Sequence, residues 1–265
     1  MQITNIDLGI AIDITVYSLE AINGNIRECP IKTKHWILYA LIEDINIIVA
    51  EEISFTGGSQ SCCVCFIDIV DSTRITTVEI AHPQKIKRYY SVFINTMAAL
   101  VRDFDATVIK NTGDSLIYYF PKTTDSSSMS AFKSVFECGL TMISVNPIIN
   151  AKLHMEEGLP NLSYRISADY GRVEVARSLT STNEDLFGPT VSLCAKINSK
   201  ADPNGMVVGN NLYQVTKNTF DNDYHFNKIG EYSIDNSGNQ YSVYSIVSKD
   251  KNSNDKKLKS YKNML

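Results

Sequence analysis

The 265-residue chain lacks most of the signatures that mark common enzymes. It has no G-x-x-x-x-G-K-[ST] loop to cradle phosphates and no G-x-G-x-x-G turn for a dinucleotide. H-E-x-x-H and G-x-S-x-G are also missing, which removes helix-borne zinc proteases and nucleophile-elbow hydrolases. The four histidines stand apart at 35, 82, 154 and 225, too scattered to support a histidine-centred site. No window reaches about 18 uncharged apolar residues. The best candidate, Trp36–Ala50, contains Glu43 and Asp44, so no membrane span is predicted. The N-terminus has no basic segment leading into an apolar core and a small-residue cleavage site, so no signal peptide is predicted. Positive charge is not in excess. With 25 Lys and Arg against 29 Asp and Glu, the net charge of −4 gives no field to hold a nucleic-acid backbone, and no nucleic-acid partner is predicted.

Cysteine is present, but not as a framework. Three of the six cluster in one apolar run at 62, 63 and 65, unlike a secreted disulfide scaffold, and reduced thiols in a cytoplasmic protein fit better. Cys62 and Cys65 make a C-x-x-C, yet in a strand side chains three apart face opposite sides of the sheet. No second C-x-x-C completes a zinc site. These cysteines read as small buried hydrophobes.

What the chain does have is a core: hydrophobic residues are 44% and charged residues 20%. Residues 1–60 read as an N-terminal extension ending in a linker around Gly57-Gly58, with helical spacing over about 33–52. Three roles stay open for it: a dimerising or signal-relaying helix, a segment packed on the domain, or an extension without a role. Cys62–Val70 reads as a buried strand that delivers Asp68 near its end. Ile86, Tyr90, Phe93, Met97, Leu100 and Phe104 mark a helix after Pro83. Thr107–Lys110 and Ser115–Phe120 flank a tight turn at Asn111–Asp114. Pro121–Ser130 reads as a polar loop, and Ala131–Val145 as a helix closed before Pro147. Ser163–Ala168 and Arg172–Ala176 read as two strands around Tyr170-Gly171. A polar loop then leads to Asp185–Gly188, and Pro189 opens a helix to about Ala201. Met206–Val208 reads as a strand, Asn210–Thr216 as a helix, and 229–234 with 240–247 as a last hairpin. Residues 249–265 read as a basic polar tail. Interleaved helices and hairpins indicate an α+β fold.

Two acids stand out. Asp68 sits in an apolar strand, where an unpaired charge is costly. Asp114 sits in a hairpin turn. Two carboxylates at one sheet edge suit Mg²⁺ or Mn²⁺, which take oxygen ligands and share them with phosphates. Capping of nearby backbone amides is the alternative.

Phe66-Ile67-Asp68-Ile69, Lys110–Asp114 and Asp185–Val191 together resemble the class III adenylyl/guanylyl cyclase domain, whose pattern runs F-x-D-I, K-x-x-G-D and D-x-x-G-x-x-V-N-x-x-x-R. The resemblance spans residues 60–247, with the domain placed at 61–248. It implies a ferredoxin-like βαββαβ three-layer sandwich. It implies two divalent metal ions held by Asp68, Asp114 and the backbone carbonyl of Ile69. It also implies conversion of ATP to 3′,5′-cyclic AMP and pyrophosphate by a homodimer with its active sites at the interface.

Base reading falls on Lys110 and Asp185 in the resemblance, a pair suited to adenine, since Lys can donate to N1 and a carboxylate can accept from the exocyclic amine. Arg172 matches an arginine that contacts phosphate in some members. The pattern breaks on the next helix, where the family's Asn and Arg are Ser192 and Lys196. The i,i+4 spacing is kept, but Lys lacks the planar fork of Arg. Aspartate 235 stands about where a phosphate-binding Lys is usual. A catalytically weak or inactive cyclase-like domain and a guanylyl cyclase remain as alternatives.

Overall fold

In the computed structural model the described residues are 53–54, 58–80, 82–178, 184–233 and 239–250. The helical reading of 33–52, the basic tail from 251 onward and position 235 lie outside them. Nine strands are described: β1 (Ile53–Ser54), β2 (Ser59–Ile69), β3 (Thr107–Thr112), β4 (Ser115–Phe120), β5 (Tyr164–Ser178), β6 (Glu184–Phe187), β7 (Gly205–Gly209), β8 (Tyr224–Ser233) and β9 (Gln240–Ser248). The longer helices are α1 (Pro83–Asp103), α2 (Met129–Glu157), α3 (Pro189–Asn198) and α4 (Asn210–Phe220).

The sheet runs β3-β4-β2-β5-β7-β9-β8, and β1 and β6 both pair with β5. Its first four strands, with α1 and α2, give the βαββαβ order of a ferredoxin-like core, all antiparallel. Alternation along β2 sets the layers. Cys63, Cys65, Ile67 and Ile69 join the core under α1, α2 and α4, whereas Cys62 and Val64 join the cluster on the other face with Leu186 and Val191. Cys62 and Cys65 therefore face opposite sides of the sheet, and the five cysteines of the described residues are all free and buried.

Four local readings change in three dimensions. The helix expected to stop before Pro147 continues to Glu157. Proline inside a helix costs roughly 3 kcal/mol. Val145, Ile149 and Leu153 continue the apolar stripe into the core at 0%, 1% and 0% exposure. Each such burial contributes about 1.5–3 kcal/mol, so packing outweighs the proline. Asn146 and Asn150 also donate to the Leu162 carbonyl at 3.1 and 3.0 Å, tying the second half of the helix to the strand that follows.

The two strands expected around Tyr170-Gly171 are one strand, β5. Gly171 makes no turn. A Cβ there would meet the Thr190 hydroxyl at 2.7 Å, so glycine lets α3 approach the sheet. The loop before Asp185 ends in strand β6, and the expected linker gives way to β2 from Ser59.

Asp169 on β5 is fully buried. Its carboxylate accepts the Tyr241 hydroxyl at 2.7 Å and the Tyr170 amide at 2.9 Å, which joins β5 to β9. The Leu212 amide at the start of α4 approaches at 3.4 Å. Burial pushes the Asp169 carboxyl up to about 6, against those hydrogen bonds. Among the described residues no helix is long and apolar enough to cross a membrane.

Candidate active site

The acid edge forms where β2 ends beside the β3–β4 turn. Thr112 pairs with Ser115 across Gly113 and Asp114. Gly113 has φ 67, a left-handed conformation that glycine adopts without a Cβ penalty. Asp68 lies opposite Ser115 on one side and Arg165 on the other. The Ile69 amide points to the Asp114 carbonyl at 3.4 Å, which places Asp68, Ile69 and Asp114 at one edge of the sheet. After β2 the chain turns at Asp71, with φ 55, into a short helical segment, Ser72–Arg74, and a π-turn, Ile75–Glu79.

Two serines contact the acids. The Ser115 hydroxyl donates to Asp68 Oδ1 at 2.5 Å, and the Ser72 hydroxyl donates to Asp114 Oδ2. The pKa of Asp68 is raised, chiefly by burial and also by the neighbouring Asp114 charge, while Ser115 and Arg165 oppose the rise. A divalent cation would relieve both raising causes at once. Among the described residues no group of three or more His, Cys, Asp or Glu side chains can hold a metal. Two carboxylates are the donor set that Mg²⁺ uses when phosphates and water complete its shell. The residues present therefore fit the implied ions.

The corner to which the resemblance gives base reading is separate. Lys110 on β3 and Asp185 on β6 form an ion pair, half-exposed on the lysine side. Lys110 Nζ also lies 5.8 Å from the Phe187 ring centroid. The Leu186 amide donates to Asp185 Oδ1 at 2.9 Å, which orients the carboxylate. Residues 75 apart in sequence thus meet as one donor and one acceptor side by side.

Ser192 and Lys196 share an exposed face of α3. Lys196 Nζ sits 5.5 Å from the Tyr232 ring centroid on β8, a cation–π contact. The helix is pinned from its buried side. The Cys194 thiol reaches the Val64 carbonyl at 3.1 Å, the Ser167 hydroxyl donates to the Cys194 carbonyl at 2.7 Å, and Asn198 donates to the Arg165 carbonyl at 3.2 Å. Arg172 does not join the acids. It is exposed, pairs with Glu174 at 3.1 Å, and stands opposite Ser61, seven residues along β5 from the Asp68 rung. Ser72, Ser115 and Arg165 escaped the sequence reading. Serine carries no pattern of its own, and the register that puts Ser115 and Arg165 beside Asp68 is tertiary.

The model of the adenylate and guanylate cyclase catalytic domain matches residues 56–248. A cytidylate cyclase of Staphylococcus aureus is 25% identical over 167 residues, which cover 59% of this chain and 38% of that protein. The match thus spans well under half the length of this relative. The crystal structure of the adenylyl cyclase CyaB from P. aeruginosa superposes with TM-score 0.64 at 15% identity, covering 73% of this chain and 97% of that one. The guanylate cyclase domain of RhGC from Catenaria anguillulae, in complex with GTP, superposes with TM-score 0.59 at 13% identity, covering 73% and 100%. The match over residues 56–248 takes in most of the sequence, and the chain belongs to the adenylate and guanylate cyclase catalytic domain family.

Proposed function

We propose that the chain is an adenylyl cyclase that converts ATP into 3′,5′-cyclic AMP and pyrophosphate as a homodimer, using two divalent ions, Mg²⁺ or Mn²⁺. The observation that carries this reading is the Lys110–Asp185 pair. Adenine presents an acceptor, N1, next to a donor, its exocyclic amine; Lys110 supplies the donor and Asp185 the acceptor. Guanine presents the reverse order, O6 and N1–H, and sets like against like. Asp68, Asp114 and the Ile69 carbonyl would hold the ions, which would supply Lewis-acid activation of the ribose 3′-OH and charge neutralisation at the leaving pyrophosphate. The bond from the ribose 3′-oxygen to the α-phosphorus forms as the bond to the bridging oxygen breaks, pyrophosphate leaves with that oxygen's electron pair, and the 3′-hydroxyl proton passes to solvent. Lys110 and Asp185 orient the base, and Ser192 and Lys196 offer a hydroxyl and a positive charge to the phosphates. In the dimer, the acids of one chain serve a nucleotide whose base is read by the partner.

Cytidine triphosphate is a second reading, favoured by the relative that bears the name cytidylate cyclase. Cytosine offers N3 and its exocyclic amine in the same order as adenine, so the Lys110–Asp185 pair suits both, and uracil is reversed as guanine is. The test is incubation of the purified chain with ATP, CTP, GTP and UTP in turn, with Mg²⁺ or Mn²⁺, and identification of products by mass spectrometry. Cyclic AMP supports the first reading and cyclic CMP the second. Cyclic GMP or cyclic UMP contradicts the role given to Lys110 and Asp185. No cyclic product from a folded protein contradicts the cyclase itself.

A further inference from the structure

The two hydrogen bonds at the acid edge are crossed. Ser115, the chain neighbour of Asp114, donates to Asp68. Ser72, four residues after Asp68, donates to Asp114. Each acid is therefore held by the segment that carries the other acid. The donors come from different elements: Ser115 from the first residue of β4, and Ser72 from the helical turn that follows β2. Ser72 is 6% exposed, although it lies in a turn at the rim of the sheet, so its hydroxyl is held inward. Each hydroxyl engages one carboxylate oxygen. The other oxygen of each, Asp68 Oδ2 and Asp114 Oδ1, accepts no hydrogen bond among the described residues.

We propose that Ser72 and Ser115 are positioning residues: they cross-brace the two acids and leave one oxygen of each to face a shared cation. A carboxylate with both oxygens unconstrained rotates about its last torsion. A hydroxyl donor on one oxygen fixes that torsion, and the charge-assisted bond is stronger than a neutral one. Hydrogen bonds that orient a metal ligand typically contribute 10- to 100-fold in metal affinity. The crossed arrangement adds a coupling. Displacing either segment disturbs both acids, so losing either serine should weaken the same cation site. This inference rests on the reading of Asp68 and Asp114 as metal acids.

The test is a titration of the full chain with Mn²⁺ alone, following loss of the free-ion electron paramagnetic resonance signal, with thermal melts to verify folding. Wild type should bind, Asp68→Ala should lose binding, and Ser72→Ala and Ser115→Ala should each weaken it by about 10-fold or more. Ser115→Thr, which keeps the hydroxyl, should recover most of the loss. If an alanine variant fails to melt cooperatively, Ser72→Cys and Ser115→Cys keep the volume, weaken the donor and carry the same expectation. In the turnover assay the deficit should appear as a raised Mn²⁺ requirement, with kcat recovered at saturating ion. Alanine variants that bind Mn²⁺ as wild type does, while Asp68→Ala does not, overturn the brace and leave the metal reading standing. Wild-type binding by Asp68→Ala overturns the metal reading, and the brace with it.

Discussion

The acid edge and the Lys110–Asp185 corner pose opposite electrostatic problems. At the edge two like charges are held near each other, half-buried, with two hydroxyls and Arg165 to offset them. At the corner a lysine and an aspartate neutralise each other directly. At the edge burial and the Asp114 charge both oppose ionisation of Asp68, an imbalance that a cation would relieve in the proposed enzyme. The corner is satisfied in itself, and in the proposed enzyme each partner would trade the other for a hydrogen bond to a base. An exposed ion pair contributes only about 0–1 kcal/mol, so that trade is inexpensive. In the proposed enzyme, affinity for ions and selectivity for bases would thus be built by different physics on the same sheet.

The contrast breaks most sharply at Asp68. Asp68→Ala should lower turnover by on the order of 10³-fold or more, read from the initial rate of cyclic nucleotide formation. The milder Asp68→Asn should also abolish turnover, yet it should raise the melting temperature of the metal-free protein, because it removes a charge that burial and Asp114 oppose. A lowered melting temperature would mean that the edge is not strained by like charge.

The corner should respond in kind rather than in degree. Lys110→Ala should cost about 100-fold in kcat/KM for the preferred nucleotide and relax the choice of base, measured with the four triphosphates in competition. Uniform loss across all four would deny Lys110 a reading role.

Asp169 provides a purely structural acid for comparison. Its folded-state carboxyl is pushed up to about 6 by burial, above the ordinary carboxylate value. The folded protein therefore holds that proton more tightly than the unfolded chain. Asp169 favours folding most below the unfolded pKa, and the contribution declines as pH rises from about 4 to 6, then levels off, over a span on the order of 2–3 kcal/mol. Denaturant melts of wild type and Asp169→Asn across that window should show the decline only in wild type.

The smallest expected effect is on α3. Lys196→Arg should raise kcat by up to about 10-fold, since a planar fork can grip two phosphate oxygens where an ammonium grips one. Loss of activity instead would show that the contact of Lys196 with Tyr232 is needed as it stands.

Much of this was legible in the sequence, for physical reasons. The apolar run to Asp68, the glycine turn beside Asp114 and the proline opening α3 are local signals, and each lies in an element of the expected type, with shifted ends. The failures were tertiary. Pro147 looked like a stop because its neighbours' burial was invisible. Gly171 looked like a turn because the approach of Thr190, 19 residues on, was invisible. Strand β6 is too short and polar to announce itself, and only its ladder with β5 makes it a strand. The site residues fared similarly. Asp68, Asp114, Lys110 and Asp185 could be named from the motifs; Lys110 and Asp185 form an ion pair, and Asp114 is close enough to Asp68 for its charge to be felt. Ser72 and Ser115 depend on register, and Arg172 matched the motif but stands away from the acids.

The edge and the corner are each closed within one chain, and the proposed enzyme joins the edge of one chain to the corner of another. Mixing Asp68→Ala chains with Lys110→Ala chains tests that junction most directly. Each variant alone should be nearly inactive. Their mixture should regain up to about one quarter of wild-type activity, because half of randomly paired dimers are mixed and each holds one intact site of two. Activity of the mixture no greater than the average of the separate variants would contradict a site shared between two chains.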